Sequence, residues 1–128
     1  MAISVVRLGS PRARAEGLRI GTVRRPPRGV PKAEHAARDY YDVWLPDLAP
    51  SDGLVKQALQ ATDERAWQAF TKRYRSEMKR PEAARLLTLL AALSQRTDFS
   101  VGCYCSDEAR CHRSVLREIG RASCRERV

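Results

Sequence analysis

At 128 residues and 14.4 kDa the chain has the size of one ordinary domain, able to bury a core without disulfide staples. Its 24 Lys and Arg against 15 Asp and Glu give a formal charge of +9, which favours anionic partners over cationic ones. No run approaches the roughly 20 apolar residues of a membrane span, and residues 1–14 lack a secretory pattern, so the chain reads as cytoplasmic and off the membrane. In that reducing compartment, close-set thiols point to metal binding, catalysis or redox chemistry before a structural disulfide.

Residues 3–8 (ISVVRL) and 18–23 (LRIGTV) are short, β-branched-rich runs separated by a Gly, Pro and Ser punctuated loop, and they read as two strands. Residues 24–31 (RRPPRGVP) suit neither a helix nor a central strand, because three prolines remove donors and restrict their neighbours; they form a stiff basic loop. His35, in the polar stretch KAEHAARD, reads as a surface residue. Residues 40–53 mix a short apolar segment at 43–45 with two turn prolines, and Ser51 or Asp52 caps a helix through Leu54, Val55, Ala58 and Leu59.

Thr62 is the next capping candidate, with Asp63 and Glu64 in the first turn, where the helix dipole favours negative charge. Trp67, Phe70, Tyr74 and Met78 follow at spacings of three and four, the pattern of an amphipathic helix packing its aromatic face into a core. Pro81 starts a further helix whose buried face is expected from Leu86, Leu87, Leu89, Leu90 and Leu93. After a turn at 95–98, residues 99–105 (FSVGCYC) form a strand, and Asp107 opens a last helix carrying Val115 and Leu116. This order predicts a single layered α/β domain, a small and mainly parallel sheet covered by helices.

Residues 119–128 (IGRASCRERV) abandon the apolar pattern and resemble translated sequencing-adapter read-through. The domain is therefore expected over residues 1–118, C-terminally truncated, with Cys124 set aside. Without Arg121, Arg125, Arg127 and Glu126 the formal charge is still +7.

The chemistry concentrates in GCYCSDEARCHRS, residues 102–114. Side chains alternate along a strand, so Cys103 and Cys105 share a face. Cys111 falls near the start of the following helix, where the dipole favours a thiolate, and His112 and Arg113 add to that effect. Three readings follow. Cys103, Cys105, Cys111 and His112 offer three sulfurs and an imidazole for zinc, although C-x-C then C-H departs from the usual C-x₂₋₄-C knuckle. Cys105 and Cys111 suit thiol exchange or nucleophilic catalysis, with His112 carrying the proton. Alternatively the cysteines are small buried hydrophobes that merely pack. Cys111 to Arg117 also matches the C-x₅-R spacing of cysteine phosphatases, but HRSVL has no glycine to cradle phosphate.

Arg24, Arg25 and Arg28 follow the second strand, and ligands of open α/β sheets sit beyond the carboxyl ends of strands. If that strand and residues 99–105 run parallel, Arg24, Arg28 and Arg113 would hold an anionic small molecule beside the thiols. The rival is a non-enzymatic basic module that contacts nucleic acid or a phosphorylated partner. Against it, many arginines alternate with acids, as in DERAWQAFTKRYRSE, and no nucleic-acid reader motif is present.

Four segments together resemble domain-of-unknown-function family 488 (DUF488): RIGTVRRPPRG, DVWLPDLAPS, DERAWQAFTKRYRSEM and CYCSDEARCHRSVLRE. They cover nearly all of residues 3–118, and the ending is similar to the branch whose motif closes in C-H-R. The resemblance implies motif roles for Arg24, Arg28, Gly29, Asp42, Trp44, Pro46, Ala49, Pro50 and Ser51, alongside Cys105, Cys111, His112 and Arg113. It carries no established activity. The sequence thus points to an α/β domain with Cys105, Cys111 and His112 as candidate catalytic groups, Arg24, Arg28 and Arg113 as ligand-holding groups, and zinc as the metal the thiols would suit.

Overall fold

The computed structural model describes residues 3–104, 111–113 and 115–119. The β-branched runs near the start become β1 (Ile3–Arg7) and β2 (Leu18–Gly21). A two-residue β3 (Val43–Trp44) forms where the sequence showed only a short apolar segment between turns, and the later apolar run becomes β4 (Phe99–Cys103). Every pairing is parallel and the order is β1-β4-β2-β3. The central strand β4 is buried along its whole length, as a strand paired on both edges and covered on both faces should be. All four carboxyl ends consequently lie along one edge of the sheet.

The helices cover one face. α1 (Asp52–Gln60), α2 (Glu64–Glu77) and α3 (Pro81–Ser94) are followed by a helical segment at residues 112–113 and 115–119. Asp63, not Thr62, caps α2: its carboxylate accepts the Ala66 N–H at 2.8 Å, which satisfies a first-turn donor and favours the dipole. Phe70 and Tyr74 from α2 with Met78 at its C-cap, Leu87 and Leu90 from α3 and Leu54 from α1 meet Ile3, Ile20, Phe99 and Val101 of the sheet in the main core. Val115 and Leu116 complete it, with Ile119 packed against it. Leu89 and Leu93 depart from expectation. Both are exposed, because one α3 stripe is enough to cover this narrow sheet.

Loops cover the other face, and the sheet is shaped for them. Gly21 and Gly102 are register partners on adjacent strands, leaving a floor without side chains. A Cβ at Gly21 would lie 2.4 Å from the Tyr41 ring, and one at Gly102 would lie 2.3 Å from Leu8. Arg19 points to this face and is fully buried. Its guanidinium meets both Glu16 carboxylate oxygens, at 2.7 and 2.9 Å, and donates to Ser10 O and Asp39 O, so it ties two loops to the sheet. Asp42 extends the clasp: its carboxylate accepts the Arg19 N–H and a bidentate pair from Arg12. His35 is not a surface residue. It is buried, its Nε2 lies 3.1 Å from Val30 O, and its ring meets Tyr41 edge-on, because the loop folds back over the glycine floor.

No helix among the described residues is long and apolar enough to cross a membrane.

Candidate functional site

The site forms where β2 and β4 end side by side. Thr22, the first residue past β2, donates its backbone N–H and its hydroxyl to Gly102 O, both at 3.0 Å. That anchoring fixes Thr22 beside Cys103, the last residue of β4. Cys111 and His112 return to the same place. The sulfurs of Cys103 and Cys111 and a ring nitrogen of His112 lie within 4.8 Å of one another, and all three residues are buried.

The hydrogen bonds of His112 define its tautomer. Nε2 is 2.7 Å from Thr22 O and 3.1 Å from Thr22 Oγ1. A carbonyl oxygen can only accept, so Nε2 carries the proton, and the Thr22 hydroxyl, which donates to Gly102 O, accepts a share of it. Nδ1 therefore turns its lone pair to Cys111 Sγ, 3.8 Å away. Tyr74 walls the imidazole with its ring edge-on at 5.6 Å and 71°, while its hydroxyl donates to Leu48 O at 2.6 Å. Burial, reinforced by negative charge on Cys111, Glu77 and Cys103, holds the Tyr74 phenol well above its ordinary range, so it stays neutral.

A pocket of about 360 Å³ opens above this group. Cys103, Cys111 and His112 line it together with Phe70, Val55 and Leu59, and Arg24, Arg25 and Tyr104 also belong to its wall. Its size falls within the range of small-molecule sites. The loop carrying the arginines is held at three points: Trp44 Nε1 donates to Val23 O, Arg24 Nε to Pro50 O and Tyr104 OH to Arg25 O. These bonds give the DVWLPDLAPS segment a physical meaning. Its indole and its Pro50 carbonyl brace the basic loop, Leu48 O receives Tyr74, and Ser51 donates its N–H and hydroxyl to Glu77.

Of the residues singled out in the sequence, Cys111, His112, Cys103 and Arg24 meet at this pocket. Arg28 lies apart, in an outer hollow with Arg25, Tyr40 and Tyr104. Arg113 does not join them. It is buried, and Nη1 donates to Val6 O at 2.9 Å and Cys103 O at 3.4 Å, so it binds the ends of β1 and β4. Cys105 and Asp107 lie outside the described residues. As metal donors, Cys103, Cys111 and His112 would supply three of the four ligands that a tetrahedral zinc ion takes, with the Nε2–H tied to a carbonyl as such a ligand requires.

A family model, DUF488-N3a, described as the active DUF488-N3 subclade, matches residues 3–122. The chain belongs to the DUF488 family. No curated protein and no solved structure matches it. This DUF488 chain thus carries a buried Cys103, Cys111 and His112 cluster at the carboxyl end of its sheet. Sequence reasoning missed Thr22, Tyr74 and Tyr104. A threonine at a strand end carries no spacing signal, and Tyr74 was visible only as one more member of the core-packing stripe. Tyr104 sits between two cysteines that drew the attention.

Proposed function

We propose that this DUF488 protein is an enzyme with a thiol-centred site, in which Cys111 is the nucleophile and His112 the base that takes its proton. One observation carries the reading: Nδ1 faces Sγ while Nε2–H is tied to Thr22, the nucleophile, base and orienter arrangement of thiol catalysis. The Sγ–H bond breaks and its proton passes to Nδ1. The sulfur pair forms a bond to an electrophilic centre of the substrate, and the imidazolium returns the proton to the departing group. The pocket supports this reading, since it is of organic-ligand size and has the pair in its wall. The family description, an active subclade, accords with it.

The same donors support a zinc reading, and the two separate cleanly by experiment. Elemental analysis and thiol titration on protein purified under reducing conditions should find no stoichiometric metal and one fast thiol, lost in Cys111→Ser. Stoichiometric zinc, with the thiols blocked until a chelator is added, would overturn the nucleophile. A basic binding module would instead show affinity for nucleic acid that falls steeply with salt and is untouched by Cys111→Ser.

A further inference from the structure

The chemistry of the walls says what the pocket should hold. Leu59 is 77% exposed and Val55 is also exposed, so a nine-residue helix leaves two large aliphatic side chains in water at the rim of the reactive pair's pocket. Val23 and Phe70 continue that apolar lining inward. An apolar body would cover these surfaces at roughly 25 cal/mol per Å² removed from water.

Cations stand at the other side. Arg24 and Arg25 line the inner pocket, and Arg25 and Tyr104 also wall the outer hollow that contains Arg28. The two hollows are therefore neighbours across one shared partition. The loop is braced at Val23 O, Pro50 O and Arg25 O, and Pro26 and Pro27 stiffen it, so little ordering remains to be done on binding. Asp52 stands 3.8 Å from Arg25, and both are largely exposed, a weak ion pair that a ligand anion can displace. Three guanidinium groups on one five-residue stretch suit a doubly charged phosphate better than a single carboxylate.

From this we infer that the inner pocket and the basic loop form one site for an amphiphilic phosphate monoester. Its apolar ring or chain lies against Val55, Leu59 and Phe70 over Cys111, and its phosphate lies on Arg24, Arg25 and Arg28. The inference deepens the thiol reading by naming a substrate class, but the binding it describes does not require Cys111 to react.

The test uses 1-naphthyl phosphate, 1-naphthol and inorganic phosphate as probes in calorimetric titrations of the full chain, with iodoacetamide alkylation of Cys111 as a second readout. Naphthyl phosphate should bind at least about tenfold more tightly than either fragment and should slow alkylation. The exposed double variant Arg25→Ala, Arg28→Ala should lose about tenfold toward naphthyl phosphate and nothing toward naphthol, with an unchanged circular dichroism spectrum. An unreactive Cys111 with arginine-dependent binding intact would sink the nucleophile and leave this site standing. A reactive Cys111 that naphthyl phosphate neither binds near nor protects would overturn this inference alone. So would a single-stranded oligonucleotide that occupies the loop and is not displaced by naphthyl phosphate.

Discussion

Replacing His112 with glutamine keeps a side-chain N–H able to donate to Thr22 O and removes the basic nitrogen that faces Cys111. The Sγ to Nδ1 distance of 3.8 Å sets the scale. A thiolate and an imidazolium at that separation attract by about 4 kcal/mol at an effective dielectric of about 20. Both groups are buried, and desolvation returns several kcal/mol of that, leaving about 1–3 kcal/mol. At 1.36 kcal/mol per factor of ten, the variant should hold about 5- to 150-fold less thiolate. The assay is iodoacetamide alkylation at pH 6.5, read on the Cys111 peptide by mass spectrometry so that other cysteines do not contribute. Thr22→Val, which keeps the carbonyl but loses the hydroxyl, should slow the same reaction by about 2- to 5-fold and shift its pH profile, and Thr22→Ser should restore both, because one of two partners of Nε2–H is removed. Alkylation of His112→Gln at the wild-type rate would refute the reasoning outright.

Three further outcomes follow from the fold. Burial, the largest influence on the Asp42 carboxyl, pushes it up, but hydrogen bonds from Arg12 and the Arg19 N–H, with the charges of both arginines, hold it below its ordinary value. A lowered folded value means the stabilisation is present above the unfolded value near 4 and is lost as pH falls through the lower folded one. Asp42→Asn should therefore cost about 1–2 kcal/mol at pH 7 after allowance for partial exposure, and urea melts should show the gap closing in acid; a gap constant down to pH 2 would contradict this. Tyr74→Phe leaves Leu48 O without its 2.6 Å partner in the core and should lower stability by about 1–3 kcal/mol in the same melts. Gly21→Ala should destabilise more than Gly102→Ala: the first drives a Cβ into the rigid Tyr41 ring, the second into the flexible end of Leu8, and overpacking costs about 1–3 kcal/mol. Equal melting temperatures for the two alanine variants would show that the Tyr41 ring yields freely.

Much of the fold was legible because local chemistry and tertiary packing agree. The β-branched runs at 3–8 and 18–23 became β1 and β2, and the three-and-four spacing of Trp67, Phe70, Tyr74 and Met78 became the core-facing side of α2 and its C-cap. The parallel α/β class followed from that order. β3 escaped notice because two exposed residues carry no periodicity; it exists through its pairing with Ile20 and Gly21. Polarity misled at His35, where a loop closing over the glycine floor buries a residue from a stretch whose only apolar members are small alanines. The same limit applies to the site. Cys111 and His112 stood out as a cluster, and Arg24 as part of a loop, but Arg113 was grouped with them by adjacency and by the C-H-R ending. Its side chain turns to the carbonyls of Val6 and Cys103.

The register of β2 against β4 links stability to the site. Pairing Gly21 with Gly102 puts Thr22 N–H on Gly102 O, and that placement presents Thr22 O to His112 and thereby turns Nδ1 toward Cys111. A slip of one residue would reverse the faces of β2. Arg19, now paired with Glu16, would enter the apolar core, and Ile20 would meet the Tyr41 side of the sheet. The buried ion pair of Arg19 with Glu16 carries a desolvation cost that an apolar pair of the same shape would not, so its net contribution to stability is small. The contacts that a slipped strand would leave behind are the longer-range ones, from the Arg19 guanidinium to Ser10 O and Asp39 O and from its N–H to the Asp42 carboxylate. The clasp on the loop face thereby supports the register on which the contact between Thr22 O and His112 Nε2 depends.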